Sequence, residues 1–117
     1  MSTVYSNINI DFKSPTYDVS IIPQQLQNNH RFLLKIAHMR YTCDVDLTFN
    51  IYYKQLYSET ENLLTYTVSH LNNYFKQKFP TAILCREFRW EIIGNSATLC
   101  TIYELGLMWQ PVNVGDR

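Results

Sequence analysis

His38, Cys43, Asp44 and Asp46 form the densest local run of chemically capable side chains in the sequence. A cysteine near a histidine is the raw material of a nucleophilic pair, which also needs an orienting group and an oxyanion pocket. No residue pattern in the sequence identifies that pocket. A minimal enzyme built on Cys43, His38 and Asp44 is therefore one of three function classes carried forward, and not the leading one. Asp44 and Asp46 share a face if the segment is a strand, about 7 Å apart. That spacing suits a shared cation or a division of acid and base work, but nothing nearby completes either set. Solubility and protection of a strand edge explain the two carboxylates more simply.

The remaining candidates are sparser still. His30, His38 and His70 belong to no H-E-x-x-H pattern. Cys43, Cys85 and Cys100 are an odd set without C-x-x-C spacing, which predicts neither a disulfide framework nor a local zinc site. They read as small hydrophobes in a reducing interior. Glycine occurs only at 94, 106 and 115, so neither glycine-rich phosphate-binding pattern is present. The expectation is a non-enzyme with no cofactor and no metal.

Arg86 and Arg89 interleave with Phe88 and Trp90, the pairing of cation and ring that single-stranded nucleic acid favours. Glu87 and Glu91 offset those arginines, and Phe88 and Trp90 carry the parity of core residues. Across the chain ten Lys and Arg balance ten Asp and Glu, giving zero formal net charge. Charge alone accordingly argues against nucleic acid as a partner, and a small adaptor or regulator binding single strands ranks second among the function classes.

These residues must be positioned by one domain, because 117 residues cannot build two well-cored ones. The fold class expected is α+β. Alternation over 4–12 predicts a strand. Residues 1–18 form an N-terminal strand and arm, and Pro23 opens a short helix. A first hairpin is expected over 31–53, turning at Thr42-Cys43 and placing Ile36 opposite Phe49 and Leu34 opposite Ile51. Ser58 and Glu61 fit a capping box, and Leu64, Val68, Leu71 and Phe75 form a stripe. They predict a long amphipathic helix over 59–78 that stops at Pro80 and packs across one face of the sheet. A second hairpin follows, turning at Gly94-Asn95, with Trp90 opposite Leu99 and Ile92 opposite Ala97. The result is a mainly antiparallel sheet of four or five strands with residues 111–117 as a flexible or strand-exchanging tail.

Hydrophobic residues make up 46% of the chain, aromatic residues 15% and charged residues only 17%. Such a composition excludes wholesale disorder, and no apolar run is long enough to span a bilayer. The N-terminus has no signal-peptide pattern, so the expectation is a cytoplasmic or intracellular protein, with incorporation into a virion as its narrower form. Nine tyrosines and ten asparagines leave a surface rich in neutral hydrogen-bonding groups. Tyrosine joins apolar area to a polar tip, and zero net charge offers little resistance to self-contact. The leading expectation is a structural or assembly protein, acting through protein–protein contacts as a homo-oligomer or with other subunits. A ring, connector or tail component of a virus or phage would suit it. Interface candidates are Tyr5, Tyr52, Tyr57, Val112 and Val114.

Overall fold

A computed structural model of the chain describes residues 8–115. Among these described residues seven strands run in chain order: β1 (Ile8–Lys13), β2 (His30–Cys43), β3 (Leu47–Lys54), β4 (Glu61–Val68), β5 (Tyr74–Cys85), β6 (Glu87–Ala97) and β7 (Cys100–Asn113). Two single-turn 3₁₀ helices, Val19–Ile21 and Gln24–Leu26, lie between β1 and β2. Among the described residues no helix is long and apolar enough to cross a membrane.

The strands form two antiparallel sheets, ordered β1-β6-β3-β4 and β5-β2-β7. β6 returns beside β3 after β4 and β5, a Greek-key path divided between sheets. Inward rings from the two sheets meet in pairs. Phe32 of β2 stands edge-on to Phe88 of β6 at 5.1 Å, Phe49 of β3 lies 6.2 Å from Phe75 of β5, and Tyr66 of β4 lies 6.2 Å from Phe79 of β5. One core runs between the sheets, including Leu34, Ala37, Met39 and Tyr41 from β2 and Phe49, Ile51 and Ile92 from the other sheet. This is a β-sandwich.

The α+β expectation is overturned, and the helix over 59–78 with it. That segment is β4, a turn and the start of β5. Leu64 and Val68 are four residues apart, a spacing that fits the same face of a helix and of a strand. The inward set on β4 is in fact Asn62, Leu64, Tyr66 and Val68, at period two. Leu71, which the helical stripe would bury, is 82% exposed in the turn. Ser58 Oγ accepts from the Thr60 N–H in a local turn, and Glu61 pairs with Arg89 instead of closing a capping box. Thr60, Thr65, Tyr66, Thr67, Val68, Tyr74 and Phe75 are all residue types that favour strands.

Both expected hairpins are also corrected. β2 and β3 face each other from different sheets, so Ile36 pairs with Lys78 and Met108, not with Phe49. Parity assigns an inward face to each strand, and facing sheets satisfy it as well as a hairpin does. β6 continues through Gly94-Asn95 with a bulge against β1 and no turn, and β7 pairs with β2. Gly94 is buried: a Cβ there would lie 2.6 Å from Leu47 Cδ2, so this glycine serves close packing and no turn. Pro80 and Pro111 do not end strands either. Each sits within an edge strand, where one side of the backbone has no partner among the described residues.

Candidate functional site

The sandwich has four strand edges. β5 carries Lys76, Lys78 and Pro80, and its pairing with β2 is interrupted between Lys78 and Ile83. β4 is eight residues long and bears Glu61, and β1 is six residues long with Asp11 and Lys13. Charge, proline, irregular pairing and brevity are the usual protections of an open edge. β7 differs. It is fourteen residues long, its one acidic or basic side chain is Glu104, and among the described residues nothing pairs with it on the side away from β2. Between an irregularity at Tyr103 and Pro111 lies the run Glu104 to Gln110, which carries no extra residue of its own, although β2 bulges at Lys35 opposite Met108 and Trp109.

Beside this edge the two sheets part. Tyr17, Ile21, Phe88, Trp90, Leu105, Leu107 and Trp109 line a cavity of about 320 Å³. A neighbouring one of about 510 Å³ shares Trp90 and Leu105 and extends to Phe12 and Ile102. Leu105, Leu107 and Trp109 are the inward-facing residues of β7 itself, partly buried against the core. Tyr17, held by reciprocal backbone hydrogen bonds with Phe88, closes the far end. An open backbone edge thus borders an apolar groove, the two features with which an added strand is gripped: main-chain bonds on the edge and pockets for alternate side chains.

The outer faces of the sheets differ in charge. On the sheet containing β3, Arg89 forks onto Glu61 at 2.8 and 3.2 Å and lies 3.8 Å over the Tyr52 ring. Tyr52 donates to Glu91 at 2.7 Å, Asn50 donates to the same carboxylate at 2.9 Å, and Thr65 donates to Asn50. These bonds hold the Glu91 carboxyl below its ordinary range, the Tyr52 hydroxyl first, and push the Tyr52 phenol up. Lys54 pairs with Glu87, and Arg86 with Glu59. Both arginines of the aromatic-interleaved segment are therefore engaged by carboxylates.

Asp44 and Asp46 act on backbone. Asp44 accepts from the N–H groups of Thr98 and Leu99 and from the Thr98 hydroxyl, while Asp46 accepts from the His70 N–H at 2.9 Å and pairs with its Nδ1 at 2.6 Å. Two loops from elsewhere in the chain are tied to the β2–β3 connection in this way. The Thr98 side chain is the main cause holding Asp44 below the usual carboxylate range, and the His70 N–H is the main cause for Asp46.

His38 and Cys43 do not share a site. Cys43 points into the sandwich and is buried, while His38 stands on the outer face against Gly106 and 3.7 Å from Glu104. Cys43 has Cys100 directly across the β2–β7 ladder, and both are free thiols. Burial, with the Cys43 neighbour second, pushes the Cys100 thiol up to about 12. Burial likewise pushes the Cys85 thiol up to about 12. Neither is a thiolate poised for attack. Among the described residues no three His, Cys, Asp or Glu side chains gather at metal-binding range.

The sequence-derived interface candidates are scattered. Tyr57 is 87% exposed in the β3–β4 turn, Tyr52 is spent in the Glu91 network, and Tyr5 lies outside the described residues. Val112 sits near the end of β7, and the Val114 N–H donates to the Asn29 carbonyl at 2.8 Å. The residues that line the groove, Leu105, Leu107 and Trp109, were readable as an apolar alternation but not as an open edge. No protein family, curated protein or solved structure matches the chain.

Proposed function

We propose that this protein is a non-catalytic assembly module whose copies join through the open edge of β7. The observation that carries this reading is the sparsely charged edge of β7 from Glu104 to Gln110, beside a groove lined by apolar and aromatic side chains. A second copy is the occupant that its chemistry suits. Two β7 strands related by a two-fold axis through Gly106 would set Leu105 against Leu107 on the inward side and Glu104 against Met108 on the outward side. Side chains then match in face, and no charge meets a like charge. The inward leucines of each copy would close over the other's groove, which removes apolar surface from water. A ring, connector or tail component is the role such a module would fill in a larger particle.

Light scattering after size-exclusion chromatography tests the proposal. The expected mass is twice the 13.9 kDa of the chain at micromolar concentration. Met108→Glu sets carboxylate against carboxylate in this register and should return the monomer, whereas Met108→Lys, facing Glu104, should leave the dimer intact. A wild-type monomer overturns the reading, and equal behaviour of the two variants overturns the register.

A further inference from the structure

The zero net charge of the chain conceals a segregation between its sheets. Strands β5, β2 and β7 carry Arg31, Lys35, Arg40, Lys76 and Lys78 against a single carboxylate, Glu104. The other sheet carries Lys13, Lys54 and Arg89 against Asp11, Glu61, Glu87 and Glu91. The inward residues of β2 are Phe32, Leu34, Ala37, Met39, Tyr41 and Cys43, which leaves Arg40 on the outer face. On β5 the inward rings are Phe75 and Phe79, which leaves Tyr74, Lys76 and Lys78 outside. The ladder sets Tyr74 beside Arg40, Lys76 beside His38 and Lys78 beside Ile36.

Lys35, Arg40, Lys76 and Lys78 are exposed, and among the described residues no carboxylate stands within ion-pair distance of any of them. Cations on the opposite sheet are neutralised by partners and these are not. Rings accompany them: Tyr74 is 53% exposed, and Tyr103, 59% exposed, lies 5.5 Å beneath the Arg40 guanidinium. Gly106 leaves room for the His38 imidazole to lie across β7.

We infer that this outer face binds single-stranded nucleic acid, the phosphates on Lys35, Arg40, Lys76 and Lys78 and the bases on Tyr74 and Tyr103. Charge complementarity selects an anionic polymer. Exposed rings on an open sheet select one with stackable bases over an acidic protein surface, and unpaired bases over a duplex. Each copy carries the whole face, so the inference does not rest on the β7 dimer. Pairing of two β7 edges would simply join two such faces.

Fluorescence anisotropy with a labelled oligothymidylate of about 16 nucleotides tests it. Saturable binding is expected at about 50 mM salt, with a log–log salt slope near −3, because four cations each release roughly 0.7 counterion from a single strand. Lys76→Glu with Lys78→Glu should weaken binding about tenfold or more, and Lys13→Glu on the other sheet should leave it within about twofold. Tyr74→Ala should weaken it roughly fivefold or more through lost stacking. These sites are exposed, and circular dichroism checks that each variant retains the wild-type fold. No binding at low salt overturns the inference, as does a loss equally large in Lys13→Glu. Polyglutamate competing as well as the oligonucleotide, with Tyr74→Ala neutral, also overturns it and assigns the face to an acidic protein.

Discussion

Gly106 shows how one missing side chain shapes this surface. A Cβ at that position would clash with the imidazole of His38, whose ring atoms are its nearest neighbours. The ring is flanked by Glu104 at 3.7 Å and faces Lys76 across the ladder, so admitting a methyl would displace it from its place over β7. Gly106→Ala should therefore lower stability by about 1–3 kcal/mol, the usual cost of overpacking. Denaturant titration reads this, and adding His38→Ala should restore most of the loss because the two sites share one volume. Full destabilisation in the double variant would show that backbone freedom, not the ring, sets the requirement. From sequence, His38 was a candidate for catalysis and Gly106 an unremarked glycine. Their contact joins residues 68 positions apart, and no local pattern encodes it.

At the scale of elements, the β2–β3 connection works as a fastener. Asp44 holds the β6–β7 loop, Asp46 holds the β4–β5 turn, and the Tyr41 hydroxyl adds a bond to the Ser69 carbonyl at 2.5 Å. Both carboxyls titrate lower in the folded chain than in the unfolded one. Their contribution is thus present above the unfolded carboxylate value near 3.8 and is lost as pH falls through the lower folded value. The thermal midpoint should drop on acidification below about pH 4, and Asp44→Asn with Asp46→Asn should flatten that part of the profile. A parallel profile in the double variant would assign the acid sensitivity to other carboxylates. The alternation of β3 and the inward parity of Phe88 and Ile92 were legible before the structure, since period two is a local property. On β2 it held only for Phe32 and Leu34, because a bulge at Lys35 turns Ile36 and His38 outward and Ala37 and Met39 inward. Sheet membership was not legible, because a strand facing its neighbour in sequence and one paired with it bury the same side chains. The turn at 69–73 was hidden for a related reason: Leu71 and Phe75 complete a helical stripe only while Leu71 is assumed to be buried.

At the scale of the molecule, one sandwich presents three different surfaces. The outer face of the β3 sheet is closed by its own ion pairs and hydrogen bonds, the outer face of the β2 sheet is cationic, and the β7 edge is apolar and open. If two copies share that edge, folding and association are coupled, and the thermal midpoint should rise on the order of a few degrees for each tenfold increase in protein concentration. Met108→Glu should remove that dependence. A concentration-independent midpoint in the wild type would count against the shared edge. The sequence by itself determined a chain able to bury a core, alternating strands in most of their places and a sparse complement of charges, all of which follow from composition and local period. Only the tertiary structure decided that those strands form two sheets, that β7 lies at an edge, and that balanced charges are sorted onto opposite faces. Such properties depend on which distant strands become neighbours, and pairing across a sandwich is set by the packing of the whole core.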